Sequence, residues 1–479
     1  ALAETGREAS ATATEGGEVT PEPTPDITID VDVVVIGGGA SGLCAAISAA
    51  QNGAKVILFE KQAQLGGNGM MPEGLFAGNS PKQAELGIES PRKIDIIANE
   101  FQFNNFRITY DYWSNYIDGS GESVAWLLDL GVVIERVESM FGSPEVFHYG
   151  EGGHCEQMIE TLIAATDTLG IDVHLNTPAI RLKQEDGAVV GAYAESPEGI
   201  ILANAKAVIL TSGGFSGDTE KVRELVGYDT TYMQTPPNPA NVGDGMRMAE
   251  AVGANLIDMG FIQLLPTTDP ANGSITTAVA EGTSMYVNKE GKRFVNELER
   301  RDVLSRAALA QPDGVFYRIT TVKNAKVDEN GITAQGQSIK SLLKAKKVYE
   351  APTIEELAKK VGMDPKVLGE TVAKWNDFCR KQTVDPDFGR ASCTPNVTLY
   401  EGPYYAEMRA PAVHHTMGGV EVDAQTRVLD KNGKVIPGLY AAGEVTGGLH
   451  GTNRVGGNAI PDALGNGQKA GEIVMGVAR

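Results

Sequence analysis

The chain has no run of about 18 consecutive apolar residues, so nothing in it reads as a membrane-spanning helix. It is short of positive charge: 41 Lys and Arg stand against 62 Asp and Glu, a formal net charge of -21. With its acids spread along the chain rather than blocked, it is disfavoured as a partner of nucleic acid or an anionic membrane surface. An anionic small molecule would need a local cationic pocket, so individual Arg and His residues become the ones to place. Cysteine is scarce. Cys44, Cys155, Cys379 and Cys393 form no C-x-x-C pair, which removes the usual signature of an iron–sulfur or zinc site. Cys44 is expected to face the core from the first helix. Cys379 and Cys393 are read as free thiols unless folding brings them together.

Residues 1–26 contain no aromatic residue and are rich in Ala, Thr, Glu, Gly and Pro. Such a stretch cannot bury a core and is expected to be a disordered leader. It has the composition of a tether left after removal of an export signal, so a periplasmic or cell-envelope location is expected, with the cytoplasm as the alternative.

What the sequence does have begins at Val31. A strand (VDVVVI), a glycine loop (GGGASG), a helix (LCAAISAAQN), a second strand (KVILF) and Glu60 follow one another. Gly37, Gly39 and Gly42 occupy the G-x-G-x-x-G positions. They allow in turn a tight turn, close backbone approach to a pyrophosphate, and packing of helix on strand. Ala40 and Ser41 open the helix, whose N-terminal N–H groups and dipole favour an anion. Glu60, with Lys61 beside it, is placed to accept the hydroxyls of an adenosine ribose. The loop Gly66-Gly67-Asn68-Gly69 would lie along a flat ring or pyrophosphate. No histidine lies between Lys61 and Ser80, which excludes a histidyl bond to a flavin from this loop.

Further along, residues 92–130 read as helical, with Trp113 and Trp126 in the core. His148 reads as a structural histidine. Ala207–Thr211 reads as a buried strand running into Ser212-Gly213-Gly214, with Gly213 against the cofactor, and Asp244 opens another helix. Met285–Asn288 and Arg293–Val295 are expected to form a hairpin, followed by helix through Asn296–Asp302. A late strand ends in Gly443-Glu444, which suits ribityl hydroxyls. Gly456 to Asp462, including Asn458, Ala459 and Ile460, opens the last helix toward an isoalloxazine. A nicotinamide enzyme has no use for this second half-site, so the expected cofactor is non-covalent FAD.

The motifs GGGASG (37–42), GGN (66–68), FIQLLPT (261–267), VNKEGKRFVNELERRD (287–302), HHTMGG (414–419) and AAGEVTGGLHGTNRVGGNAI (441–460) resemble those of the soluble fumarate reductase and succinate dehydrogenase flavoprotein family. The resemblance covers about Asp30 to Arg479. It implies an α/β fold in which a Rossmann-like FAD-binding domain (27–259 and 414–479) is interrupted by an α+β capping domain (260–413). It also implies reduction of a carbon–carbon double bond conjugated to a carboxylate, with Arg301 as the proton donor. His414 and Arg454 fall on the carboxylate clamp, Gly74, Gly457 and Thr276 on other substrate positions, and Glu60, Asn68, Gly69, Asp244, His415, Glu444, Ala459 and Ile460 on FAD positions. An external electron donor is expected: a cytochrome, an FMN protein or a quinol-linked carrier.

The chain departs from the family where fumarate's second carboxylate is held. Leu265 replaces a histidine, Thr276-Thr277 replaces Thr-Glu, and Ala280 replaces an arginine. An unpaired carboxylate buried beside Leu265 would cost several kcal/mol. The expected substrate is therefore a small unsaturated monocarboxylate with an apolar or aromatic substituent, such as a cinnamate-like acid. Reduction of fumarate, urocanate or itaconate, a ketosteroid-type dehydrogenase, and a non-catalytic flavin carrier are the alternatives. Glu281 and Glu299 are candidates for a replacement proton relay.

Overall fold

The computed structural model describes residues 21–139, 144–227, 231, 233, 238–274, 282, 284–325, 327–333, 337–391 and 397–477. At its centre is a six-stranded sheet in the order Arg427–Leu429, Val435–Ala441, Ala207–Leu210, Val33–Ile36, Val56–Phe59 and Asp172–His174. All its pairings are parallel except that of Arg427–Leu429. Val33–Ile36 is buried at every position because both faces are covered. Val33 and Val35 meet one core with the helices Ala40–Gln51, Glu156–Thr168 and Gly467–Ile473, while Val34 and Ile36 meet a second. The glycine loop thus leaves the carboxyl end of a central strand, where open α/β sheets bind ligands.

Beside this domain lies a four-stranded sheet in the order Ile27–Asp30, Gly199–Asn204, Ala188–Ser196, Ala179–Glu185. It corrects the expectation of disorder as far as Asp26. Tyr193 Oη donates to Glu22 Oε2 at 3.0 Å, and Asp26 exchanges hydrogen bonds with the Ile200 backbone. Residues 1–20 lie outside the described residues.

The cap is built on the strands Ile262–Thr268, Tyr404–Thr416, Phe316–Thr321 and Met285–Val287, with Val348–Ala351 also paired to Tyr404–Thr416. Tyr404–Thr416 is the long member and runs through the expected domain boundary at residue 413. The expected hairpin at 285–295 is a turn with one bridge, Val287 to Arg293, because Met285–Val287 takes Phe316–Thr321 as its partner instead. Helix begins at Arg301, five residues later than expected. In the turn before it, Arg293 and Glu297 belong to a buried cluster. Arg293 reaches Glu297 and Asp385, each at 2.8 Å, and stacks 4.9 Å above Trp375.

Other expectations shift in detail. Residues 92–130 form two helices, Lys93–Phe103 and Tyr110–Asp129, broken where Asn105 and Phe106 adopt positive φ. Trp113 is fully buried, but Trp126 is only half-buried and donates to Gln51. His148 is structural, its Nε2 lying 2.6 Å from Ser80 Oγ. Cys44 and Cys155 are free and buried, whereas Cys379 is in a disulfide, against the free-thiol reading. Sequence spacing could not reveal that pairing, and Cys393 itself lies outside the described residues. No described helix is long and apolar enough to cross a membrane.

Candidate active site

A cavity of about 610 Å³ runs from the glycine loop to the cap sheet. Its floor follows from local sterics. Gly37 sits at φ +103°, and a Cβ there would meet Thr211 O at 2.6 Å. A Cβ on Gly42 would lie 1.8 Å from Gly37 O, so only glycine lets the helix Ala40–Gln51 start this close to its strand. Gly37, Gly39, Ala40 and Ser41 line the cavity. The first turn of that helix holds no acid, and Gly39 supplies no side-chain cap, so its N–H groups are left to the cavity. Ser41 Oγ is buried and has no hydrogen-bond partner among the described residues.

Glu60 follows its strand as expected. Its carboxylate accepts from the Gly38 N–H at 2.7 Å and the Gln62 N–H at 2.8 Å. Lys61 reaches Asp244 and the Ala240 carbonyl. Gly67, Asn68, Gly69 and Gly213 line the same wall, and Asn68 Oδ1 accepts from Asn238 at 3.0 Å. An anion-binding helix start, an orphaned hydroxyl and a ribose-side carboxylate fit the pyrophosphate and adenosine of FAD.

At the far end, Glu444 accepts from the Thr416 N–H at 2.9 Å and lies 3.8 Å from His415 Nδ1. Burial raises the Glu444 pKa and holds His415 well below its ordinary value. Ala459 and Ile460 line the cavity where the last helix starts. Gly42, Gly443 and Asn458 lie behind the wall rather than in it. The Asn458 side chain, expected to face the cofactor, turns away and donates to Glu100 Oε1 at 2.5 Å.

The substrate end is cationic. Arg301 is the first residue of its helix. Arg454 is 4 % exposed; its Nη1 donates to Val455 O at 3.3 Å, and its Nε has no partner among the described residues. Burial, with Arg301 second, lowers the Arg454 pKa to about 10. His414 turns its ring into the open cavity yet lies deep in the protein. Burial, then Arg454 and Arg301, hold its pKa well below the ordinary histidine value. Arg301 thus disfavours the charge on both Arg454 and His414, in a space where a bound carboxylate would relieve it.

Gln263 holds this arrangement together, donating to the Arg454 carbonyl at 2.8 Å and to Asn453 Oδ1 at 2.7 Å. Asn453 in turn donates to Asp302, next to Arg301, at 3.2 Å. Behind Arg454, Glu100 and Glu145 are both wholly buried. Desolvation raises their pKa values to about 8 and about 7 respectively, with their mutual repulsion adding to the first.

Leu265 is 7 % exposed, lines the cavity and pairs with Ala412, two residues before His414. Gly74 and Gly457 also line it. Thr276, Thr277, Ala280 and Glu281 lie outside the described residues. Glu299 is exposed and does not line the cavity, which removes it as a relay. The sequence reading missed Arg318, Thr267 and Asn241, which line the cavity. For Arg318 a signal existed: one cation in the middle of the strand FYRITT.

Residues 32–460 match the model of an FAD-binding domain. The chain is 37% identical to the fumarate reductase (cytochrome) of Shewanella frigidimarina, covering 92% of this chain and 76% of that one. It is 31% identical to the NADH:acrylate oxidoreductase of Vibrio harveyi over 92% of its own length, and spans half the length of that protein. The solved open conformation of a flavocytochrome c3 fumarate reductase matches with a TM-score of 0.82 at 32% identity, covering 94% of this chain and 79% of that one. With the FAD cradle and the cationic clamp in one cavity, the chain belongs to the fumarate reductase-like family of FAD-binding oxidoreductases.

Proposed function

We propose that the protein reduces the carbon–carbon double bond of an α,β-unsaturated monocarboxylate whose other substituent is apolar or aromatic, a cinnamate-like acid rather than fumarate. The observation that carries this reading is the asymmetry of the cavity. Arg301, His414 and Arg454 converge at one end, while the neighbouring cap strand presents Leu265.

FAD, when bound and reduced, supplies a hydride to the β-carbon. The residues of the chain do the rest. Arg454 and His414 grip the carboxylate, and their charge draws electron density toward it as the alkene polarises. Arg301, beside them, delivers a proton to the α-carbon, which completes addition of two hydrogens across the bond. A guanidinium is so weak an acid that it gives up that proton only if another replaces it promptly. The partially enclosed site keeps these interactions strong by excluding water.

Electrons come from an external carrier, and the protein works outside the cytoplasm. The disulfide at Cys379 supports that location, since cytosolic thiols are kept reduced. Thiol counting by mass before and after reduction tests it; four alkylatable cysteines in the native protein would reject it. The substrate reading is tested anaerobically, with viologen-reduced holoprotein offered cinnamate, acrylate, urocanate, itaconate and fumarate. Cinnamate should reoxidise it fastest, and a preference for fumarate would reject the reading.

A further inference from the structure

The residue before the proposed proton donor is tied across the molecule. Arg300 does not line the cavity, yet it is the residue from which the helix Arg301–Leu309 starts. That helix belongs to the cap, where its Leu304 and Ala308 pack with Tyr286 and Phe316. Arg300 itself crosses to the nucleotide half. Its Nη1 donates to the carbonyls of Gln102 at 3.1 Å and Phe103 at 3.4 Å, and its Nη2 donates to Asn105 Oδ1 at 3.3 Å. Gln102 and Phe103 are the last two residues of the helix Lys93–Phe103, whose last turn has no basic residue of its own. A helix end leaves carbonyls unpaired and carries partial negative charge, so a cation is favoured there. Here the cation comes from the other half of the protein.

The contact is part of a network. Arg300 Nε and Nη2 also hold the two oxygens of Asp302, at 3.2 and 3.0 Å, and Asp302 Oδ1 accepts from Asn453 at 3.2 Å. Asn105 donates to Thr452 Oγ1 at 2.9 Å, and Thr452 Oγ1 donates to the Asn104 carbonyl at 2.8 Å. The residues on either side of Arg301 are thus both pinned, and the turn that pins Arg300 also holds the loop leading to Arg454. Asn105 and Phe106 in that turn sit at positive φ, and Phe106 is 70 % exposed. Hydrogen bonds rather than burial hold the strained turn in place.

We propose that Arg300 is a positioning residue for proton delivery: its tether to the end of Lys93–Phe103 fixes where Arg301 points relative to the loop that carries Arg454. This rests on the reading above, in which Arg301 protonates the α-carbon. Loss of the tether leaves the grip on the carboxylate in place and leaves the proton step to a misaimed guanidinium.

The test uses viologen-reduced holoprotein and whichever acid of the panel above reoxidises it fastest. Arg300→Gln should lower kcat roughly tenfold with KM nearly unchanged, because small errors of placement are costly at a reacting centre. The solvent deuterium isotope effect on kcat should exceed that of wild type, because proton delivery has become the slow step. FAD content and Tm should be unchanged, since the Arg300 side chain is 32% exposed and such contacts add little stability. An unaltered kcat overturns the proposal, and so does a lower kcat with no rise in the isotope effect. If Arg300→Gln loses FAD, Asn105→Ala decides, since it removes one partner of the tether and keeps Arg300; an isotope effect equal to that of wild type then overturns the proposal. All these outcomes leave the reading beneath it standing. Arg301→Ala as active as wild type, or no turnover of any acid in the panel, overturns both.

Discussion

A methyl group on Gly456 would lie 3.3 Å from Arg301 Nη2. The loop carrying Gly456 and the guanidinium of Arg301, the proposed proton donor, are therefore packed to the limit of contact, and the glycine is what leaves the guanidinium its place. Gly456→Ala should displace Arg301 by a few tenths of an ångström and lower kcat roughly tenfold, since misplacements of ~1 Å cost about a hundredfold. FAD content and absorbance should be unaffected. Stopped-flow reoxidation of reduced enzyme measures this, and an unaltered rate would show that Arg301 is not the donor.

His414 should make carboxylate binding pH-dependent. In the free protein its pKa is held well below the ordinary value, by burial first and by the two arginines next. An anion bound beside it raises that pKa, so binding takes up a proton between the free and bound values. KM should therefore rise with pH across that window and level off below the free value. In His414→Asn, KM should be several-fold higher and flat. A pH profile of KM identical in both proteins would remove His414 from the clamp.

Leu265→His tests the cavity's asymmetry from the other side. It puts a hydrogen-bond donor in place of an apolar side chain, and kcat/KM for fumarate should rise at least tenfold while that for cinnamate falls. The change in ratio corresponds to more than ~1.4 kcal/mol of discrimination per tenfold. Parallel changes for both substrates would mean that Leu265 does not face the second substituent.

Glu100 and Glu145 should leave a mark on stability. Their folded pKa values are raised to about 8 and about 7, from an ordinary 4.5. Below pH 4.5 both states carry the proton. As pH rises through the window the unfolded chain ionises first, and stability is lost progressively until about pH 8. Calorimetry of the holoprotein should show Tm falling by several degrees over that range. Glu100→Gln should flatten the slope, and a slope left as steep would mean that Glu100 is already ionised.

The nucleotide half of the molecule was legible from sequence because its chemistry is local. Gly42 and Glu60 are set by a close approach and a strand end within thirty residues, and Gly37 by a positive φ in a tight turn, although a Cβ there would also meet the distant Thr211. The cap was less legible. Met285–Val287 looks like half of a hairpin with Arg293, but its partner is Phe316–Thr321, a pairing decided by the whole sheet. Arg318 was missed for the same reason. Its meaning depends on Glu407, 89 residues away, and on a cavity that no window of sequence contains. Asn458 was assigned to the cofactor because it opens the last helix, whereas a distant buried glutamate claims its side chain.

The strand Tyr404–Thr416 carries His414 but is hydrogen-bonded within the cap sheet, while Arg454 sits in the loop before the last helix, in the nucleotide half. If His414 and Arg454 hold the substrate's acid group as proposed, the grip is split between two halves of the protein, like a pair of jaws. Parting imidazole from guanidinium by a movement of the upper jaw would also break the Gln263 hydrogen bonds to Arg454 and Asn453. On that reading the same movement would admit solvent and dissolve the hold on the anion, so release of the product would be coupled to those two hydrogen bonds.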